Sequence, residues 1–329
     1  MLVRYTAHSA ASVKYSLTTI QIGINLTDPI FRGVHYGKQA HEDDLTHVVQ
    51  RAITAGCRKL MVTGSDLGES EKAVQLARDY REIDSPFEDY ARGQILTCID
   101  SAGLCYATVG VHPCTAHTFD SFPQGPDGLL SALRKLATES RDAGLTTAFG
   151  EFGLDYDRLQ LCPKEVQIKY FKLQLDLAVE LQLPLFLHSR AAADDFEAIL
   201  KDRLHELPRR GCVHSFTGTL GEMQRIIDLG FDVGINGCSL KTEENLQVMK
   251  AVPLERLQIE TDGPWCEMRP SHASTQHLAD APELPKAVKK EKWSADCMVK
   301  GRNEPCAISR VAYCIANVKG IPVEEVCEA

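Results

Sequence analysis

Residues 146–188 read TTAFGEFGLDYDRLQLCPKEVQIKYFKLQLDLAVELQLPLFLH, and this stretch indicates the fold of the whole chain. It begins with a short apolar run at 146–150 and ends with another at 184–188. Between them, over 164–182, apolar residues recur at three- and four-residue steps, which is the period of an amphipathic helix. A strand, a helix and a second strand in this order predict two parallel strands joined by a crossover helix.

The same alternation continues on both sides of this stretch. We predict strands at 20–26, 59–63, 106–111, 146–150, 184–188, 211–214, 232–235 and 257–260. Helical patterns lie between them, near 40–55, 69–80, 127–142, 164–182, 192–205, 219–229 and 242–251. Eight strands alternating with helices predict an α/β protein with the TIM (β/α)8 barrel fold. An open, doubly wound sheet is the alternative, but no G-x-G-x-x-G motif or P-loop follows the first strand to favour it.

The domain organisation expected from this pattern is simple. Residues 20–329 form a single hydrolase barrel, and residues 1–19 form an N-terminal extension. A polar insertion at 81–103 precedes the third strand, and a long loop rich in Pro and Lys at 263–300 follows the eighth. A C-terminal helix at about 304–318 comes after that loop. A long loop on a compact barrel is more often functional than idle.

Composition restricts the class of protein. With 44% hydrophobic and 25% charged residues, the chain has the composition of a soluble globular protein. It contains no apolar run of about 18 residues, so we expect no membrane span. The net charge of −9 argues against a basic protein that coats nucleic acid. It leaves room for an enzyme that holds phosphate through metal ions and a local basic patch.

The cysteines and the N-terminus bear on the cellular compartment. The 12 cysteines are scattered, without a C-x-x-C pair or a secretory signal peptide, and favour a reduced, intracellular protein, cytoplasmic or nuclear. Residues 1–20 contain Arg4 and Lys14 and no acidic residue, which is a weak organelle-targeting pattern. An untargeted polar extension is the other interpretation. A monomer is expected.

Five side chains with metal-ligand or acid–base chemistry fall at the ends of predicted strands. His112 follows the third strand and Glu151 the fourth, His188 and His214 end the fifth and sixth, and Asp262 follows the eighth. Each one alone has an ordinary structural interpretation, such as a hydrogen-bonded histidine or a helix cap. Their coincidence at the carboxyl ends of barrel strands, where active sites are built, favours a site. Imidazoles and carboxylates that converge there predict bound divalent metal.

Several motifs resemble those of one family. They are GINLTDPIFRG, HEDDL, TVGVHP, GEFGLDYDRLQ, PLFLHSR, VHSFTGT, GINGCSLKTEENL, IETDGPWC and GRNEP, and they span residues 22 to about 306. Together they resemble the TatD-type metal-dependent deoxyribonucleases of the amidohydrolase superfamily, and within these the eukaryotic branch. The resemblance implies a TIM barrel and a divalent-metal nuclease that trims DNA, with RNA as a further substrate, in the 3′–5′ exonuclease manner and with endonuclease activity as an alternative.

The resemblance also implies roles for individual residues. Glu151 matches the family's bridging carboxylate, His188 and His214 match its two strand-end histidines, and Asp262 matches its last-strand aspartate. These four are the expected metal ligands. His112 matches a histidine near the scissile phosphate, so Asp262, Glu151 and His112 are the expected catalytic residues.

The first strand departs from the wider superfamily, which commonly has H-x-H there. This chain has Gly23 and Asn25 instead. Asn25 could offer an amide oxygen to metal or substrate, or could hydrogen-bond within its loop. We expect up to two bound ions. Because the two imidazoles are missing, Mg²⁺ or Mn²⁺ is favoured over Zn²⁺.

Basic residues supply candidates for substrate binding. Arg190 could pair with a phosphate, and an ion pair within the protein is the alternative. Lys286, Lys289, Lys290 and Lys292 accompany Trp293 in the loop after the eighth strand, a combination that suits single-stranded nucleic acid. A solvated lysine-rich loop is the other interpretation. The rival functions are hydrolysis of a small-molecule amide, lactone or phosphoester, and a barrel that binds without catalysis.

Overall fold

The computed structural model describes residues 17–81 and 103–329. Eight parallel strands form one sheet, in which each strand pairs with the next one along the chain. We number them β1 to β8, with the bounds Thr19–Ile24, Cys57–Val62, Cys105–Val109, Thr146–Asp155, Leu185–Arg190, Gly211–Val213, Asp232–Ile235 and Leu257–Ile259. A parallel bridge between Ile22 and Glu260 joins the first strand to the end of the last. The sheet is therefore nearly closed, and the predicted TIM barrel is confirmed.

Helices cover the outside of this barrel. We number the α-helices α1 to α10, with the bounds Leu45–Thr54, Leu67–Asp79, Thr118–Ser121, Gly125–Asp142, Lys164–Leu181, Ala193–Arg203, Leu220–Asp228, Glu243–Ala251, Ile308–Lys319 and Val323–Glu328. In α5 the buried residues include Tyr170, Leu177 and Leu181, as its apolar period predicts. The extension at 1–19 and the insertion at 81–103 lie almost wholly outside the described residues.

Strand β4 is longer than its sequence predicts. It continues to Asp155, five residues beyond the expected end at 150, and pairs with β5 as far as Arg190. A register shift between Gly150 and Phe152 interrupts the pairing at Glu151. The expectation that Glu151 follows the strand is therefore wrong, because a bulge admits a charged residue inside a buried strand.

The segment 263–300 is also more ordered than a simple loop. Short 3-10 turns form at Ala273–His277 and Lys290–Lys292, and the two-residue strands Ala287–Val288 and Met298–Val299 pair with each other. Arg51 of α1 donates a hydrogen bond to the carbonyl of Ala295 at 3.0 Å. These contacts fix the segment along the first helix of the barrel.

A buried ionic network holds the start of the C-terminal region. The guanidinium of Arg302 is bonded to Asp44 at 2.6 Å and to Glu304 at 2.7 Å, and Arg51 contacts Glu304 at 2.7 Å. Both carboxylates are fully buried, so loss of one partner would leave an uncompensated charge in the interior. The predicted helix at 304–318 follows as α9, after a 3-10 turn.

Within residues 17–81 and 103–329, none of the helices is long and apolar enough to cross a membrane.

Candidate active site

Four of the five strand-end residues meet around one carboxylate oxygen. Glu151 Oε1 lies 2.6 Å from His214 Nε2, 2.9 Å from His188 Nδ1 and 3.4 Å from His112 Nε2. All four side chains are buried or nearly so, and the most exposed, His112, is only 18% accessible. The alternation of strands and helices predicted this convergence, because the residues lie at neighbouring strand ends.

Hydrogen bonds of the backbone hold these residues in place. The amide of Glu151 is bound to the carbonyl of Gly64, and the amide of His214 to that of Leu187. His112 begins a short 3-10 turn, where its Nδ1 accepts a hydrogen bond from the amide of Cys114 at 3.1 Å. The remaining nitrogen, Nε2, is thereby turned toward Glu151.

Asp262 lies on another side of the cluster with its own set of partners. Its Oδ1 accepts from Asn25 Nδ2 at 3.1 Å, and its Oδ2 accepts from Ser215 Oγ at 3.3 Å and from Cys266 Sγ at 3.4 Å. Its nearest link to the other four residues is Ser215, the neighbour of His214 in the chain. The two amide protons of Asn25 are used on Asp262 and on the carbonyl of Gly263.

Three strand ends at this rim have left-handed backbone in residues other than glycine. Ala191 follows β5 with a φ of 51°, Ser215 follows His214 with 50°, and Asp262 itself has 53°. This conformation is uncommon for such residues and costs energy. Its concentration at one rim is typical of functional sites.

Burial and mutual charge shift the pKa values of the cluster in opposite directions. Burial alone would raise the pKa of Glu151, but the charges of His214 and His112 and hydrogen bonds from the imidazoles hold it well below its usual range. Burial would lower the pKa of His214 and of His188, yet the neighbouring carboxylates raise both. Desolvation lowers the pKa of His112 to about 4, so this imidazole is neutral at pH 7. Desolvation raises the pKa of Asp262 to about 6.

One fully buried carboxylate near the cluster, that of Glu260, is not predicted from the sequence. Glu260 is 0% exposed, accepts from His214 Nδ1 at 3.3 Å and from Asn236 Nδ2 at 3.4 Å, and also binds the amide of Ser215. The available signal was its place at the end of the predicted strand 257–260, since the other site residues also fall at strand ends. Asp155 plays a similar part, since its Oδ2 lies 3.1 Å from His188 Nε2.

Glu260 also explains the unusual first strand. A Cβ atom at Gly23 would collide with Glu260 Oε2, so there is no room for a side chain there. With Gly23 bare and Asn25 bonded to Asp262, β1 brings no imidazole to the site.

The donor set fits a divalent metal. His112, Glu151 and His188 each offer a ligand atom, and these atoms lie within 4.8 Å of one another. A second set with the same spacing is formed by His112, Cys114 and Asp155. Imidazole nitrogens mixed with carboxylate oxygens are the ligands that divalent transition metals and Zn²⁺ accept.

The expected substrate-binding residues lie at different distances from this cluster. Arg190 ends β5, two residues after His188, and opens onto a groove of about 670 Å³ between α6, α7 and α8. Its guanidinium donates no hydrogen bond to any residue that the structure describes. None of the five strand-end residues lines this groove.

The lysine-rich segment contacts the loop between β1 and α1 instead. Lys290 lies 5.3 Å above the ring of Tyr36, Lys289 is exposed, and Trp293 stacks on His41 with ring centroids 5.0 Å apart. That loop leaves the carboxyl end of β1, so the segment is on the same side of the barrel as the cluster. No contact between these lysines and the cluster is found among the described residues.

Comparisons with known proteins agree with this geometry. The model of the family "TatD related DNase" matches residues 32–329. The chain is 48% identical over 314 residues to "Deoxyribonuclease Tat-D" of Schizosaccharomyces pombe, covering 95% of this chain and 93% of the relative. It is 31% identical to "3'-5' ssDNA/RNA exonuclease TatD" of Erwinia amylovora, with 92% and 93% covered. The crystal structure of a TatD family hydrolase from Entamoeba histolytica superposes with a TM-score of 0.80 at 32% identity, over 95% of each chain.

Proposed function

The chain belongs to the family of TatD-related deoxyribonucleases, and we propose that it is a metal-dependent nuclease that trims single-stranded DNA from the 3′ end. The observation that carries this proposal is the cluster of three imidazoles around Glu151, beside Asp262. Support for the direction of cleavage comes from relatives named 3′–5′ single-strand exonucleases, such as the Erwinia protein.

We propose that Glu151, His188, His214 and Asp262 would hold up to two divalent ions. The chemistry that a bound divalent ion supplies is polarisation of a phosphoryl oxygen and a lower pKa for a coordinated water. The choice of Mg²⁺ or Mn²⁺ over Zn²⁺ follows from the absence of imidazoles on β1.

The side chains around the cluster have separate tasks in the proposed reaction. Asp262 orients the attacking water and accepts its proton, since it is a carboxylate held by three donors on the rim. His112 is neutral and uses Nδ1 as an acceptor, so its proton is on Nε2. From there it donates a hydrogen bond to a phosphate oxygen as charge develops.

Arg190 and the lysine segment are proposed to bind the rest of the strand. The charge of Arg190 acts on Asp155, but its guanidinium makes no hydrogen bond or close ion pair with any residue that the structure describes, so we propose that it takes a phosphate in bidentate fashion. Lys289 and Lys290 add positive charge on the same side of the barrel. Asn25 has an amide oxygen left for metal or substrate. The three histidines and Glu151 meet within a single chain, so we propose a monomer as the active unit, and we propose an intracellular location, cytoplasmic or nuclear.

A metal-by-substrate assay tests the proposal. Purified protein is freed of metal and supplied in turn with Mg²⁺, Mn²⁺ and Zn²⁺. Each sample receives 5′-labelled single-stranded and duplex DNA, RNA, and a panel of small amides, lactones and phosphoesters. A ladder of products shortened from the 3′ end is expected on a gel. Turnover of a small ester alone, or no turnover at all, would contradict the proposal.

Neutralising the lysine segment should weaken binding in a salt-dependent way. We expect the quadruple change of Lys286, Lys289, Lys290 and Lys292 to Gln to raise KM for an oligonucleotide several-fold and to leave kcat unchanged. Each lost phosphate contact should also reduce the slope of log binding against log salt by about 0.7. The measurement is KM between low and physiological salt, with Lys201→Gln on α6 as a control. An unchanged slope would show that the segment is ordinary solvated surface.

Glu260 should affect metal binding because it sets the tautomer of His214. In the protein its carboxylate accepts from Nδ1, so Nε2, which faces Glu151 Oε1 at 2.6 Å, is the ring nitrogen that would bind a metal. In Glu260→Gln, an amide N–H faces Nδ1, so the imidazole proton should move to Nε2. We expect metal affinity to fall by about 10- to 100-fold.

Metal titration by calorimetry and the ¹⁵N shifts of the His214 ring would measure this change. Thermal unfolding of Glu260→Gln separates a tautomer effect from a loss of folding. A folded variant with unchanged metal affinity would remove Glu260 from the site.

A further inference from the structure

Trp265 is an exposed aromatic side chain next to the proposed catalytic aspartate. It follows Asp262 by three residues, and 55% of its surface is accessible. Its indole has no ring or hydrogen-bond partner within the part of the chain that the structure describes. Burial of such a large apolar side chain would be favourable, so an exposed indole near the proposed active site is available for a ligand.

The backbone keeps this indole close to the reacting centre. The amide of Trp265 donates to the carbonyl of Asp262 at 3.1 Å, so residues 262–265 form a tight turn. In a turn of this kind the first and fourth Cα atoms are less than about 7 Å apart. The backbone of Trp265 therefore lies at the same rim as Asp262, the residue proposed to activate water.

The turn itself is tied to strands and loops on both sides. The carbonyl of Gly263 accepts from the amide of Asn25 at 3.0 Å, and the carbonyl of Pro264 accepts from the amide of Asn303 at 3.0 Å. After the turn, the carbonyl of Cys266 packs so closely on Gly237 that no Cβ would fit there. The backbone at Trp265 is fixed by these contacts, and the exposed indole is accessible to a ligand.

We infer that the indole of Trp265 stacks on an unpaired nucleobase adjacent to the scissile phosphodiester, and this inference rests on the proposed nuclease function. Every base presents a π-face, so stacking on a rigid aromatic side chain holds a single strand without reading its sequence. A phosphate at Asp262 places its flanking nucleosides at the rim where the indole stands. Trp265 thus selects an unstacked, single-stranded end.

Two other aromatic residues on this side of the barrel are less suited to this task. Trp293 is partly buried and stacks on His41, and the ring of His47 lies 5.8 Å away, so its faces are engaged within the protein. Tyr36 is 98% exposed, but Lys290 lies over its ring. Neither of them shares a turn with a residue of the cluster.

The kinetic test couples the protein change to a change in the substrate. Trp265→Ala should raise KM for a single-stranded oligonucleotide about tenfold with kcat nearly unchanged, and Trp265→Phe should stay close to wild type. The same measurements are made with substrates that carry one abasic nucleotide on either side of the scissile linkage. For one of these the wild type and Trp265→Ala should have the same KM, because the stacking partner is missing.

Fluorescence gives a second readout that does not depend on turnover. The chain has two tryptophans, so Trp293→Phe leaves Trp265 as the only indole. Oligothymidylate should quench its emission on rapid mixing, and an abasic oligomer should not. Trp265→Phe, in which Trp293 remains, is the matched control and should not respond.

Different results overturn different statements. If the wild type cleaves oligonucleotides but Trp265→Ala has an unchanged KM, or loses affinity equally for normal and abasic strands, the inference is wrong and the nuclease function stands. If the wild type cleaves no oligonucleotide, the proposed function is wrong. In that case, Trp265 emission that oligothymidylate does not quench also overturns the inference. Quenching by oligothymidylate but not by the abasic oligomer supports Trp265 as a base-binding site.

Discussion

Replacing Glu151 with Gln should lower kcat/KM for a single-stranded oligonucleotide by at least about a thousandfold, because bound metal supplies several kcal/mol of transition-state stabilisation. One oxygen of Glu151 faces three imidazoles, at 2.6, 2.9 and 3.4 Å. The amide of Gln has the same shape but no charge, so it cannot bridge metal ions or balance protonated histidines. Metal content of the purified variant should fall together with its activity.

The control for this prediction is the same substitution, Glu to Gln, at a position far from the site. Glu180 is exposed and pairs with Arg134 on the barrel's outer surface at 2.7 Å, so Glu180→Gln should be as active as the wild type. Circular dichroism and thermal unfolding establish that Glu151→Gln is folded. A folded variant that keeps its metal and cleaves at a near-normal rate would refute the assignment of Glu151.

The positions of the site residues were largely predictable because a parallel barrel orders its strand ends in sequence. Once 146–150, 184–188 and 211–214 are recognised as strands, Glu151, His188 and His214 must meet at one rim. The length of β4 was not predictable in the same way. Its second half contains Glu151 and Asp155, whose charges resemble a strand end, and only pairing with β5 shows that the strand continues.

The contacts between distant segments are what the sequence could not supply. In the sequence Glu260 is the last residue of a predicted strand, and only the fold shows that it contacts His214 and lies against Gly23. The lysine segment illustrates the same limit. Its composition suits nucleic acid, but the stacking of Trp293 on His41 appears only once the segment packs against the β1–α1 loop.

Removing metal should abolish cleavage, and the identity of the ion that restores it should follow the donor set. Two groups of donors can be distinguished in the structure. One combines His188 and His214 with Glu151, which is rich in imidazole nitrogen. The other is centred on Asp262, where Asn25, directly after β1, is a neighbour and Gly23 contributes no side chain.

We propose that the second group would bind metal through the carboxylate of Asp262 and the amide oxygen of Asn25. Mg²⁺ and Mn²⁺ prefer such oxygen ligands, and Mg²⁺ keeps several of its waters in such sites. We therefore expect one firmer ion and one weak ion that binds at millimolar Mg²⁺ or with substrate present. Substrate phosphate oxygens are suited to complete the coordination of the weak ion. Cleavage should follow occupancy of the weak position, because only then are both groups filled.

Two variants separate the two positions in a titration of chelator-treated protein. Asp262→Asn should remove the weak binding step and leave the firm one, while His214→Gln should weaken the firm step. Equilibrium dialysis measures the number of ions bound, and cleavage of a labelled oligonucleotide is followed in the same samples. Mg²⁺ or Mn²⁺ should restore full activity to the wild type and to neither variant. Full activity with two tightly bound Zn²⁺ ions and none with Mg²⁺ would show that the oxygen donors around Asp262 do not set the choice of metal.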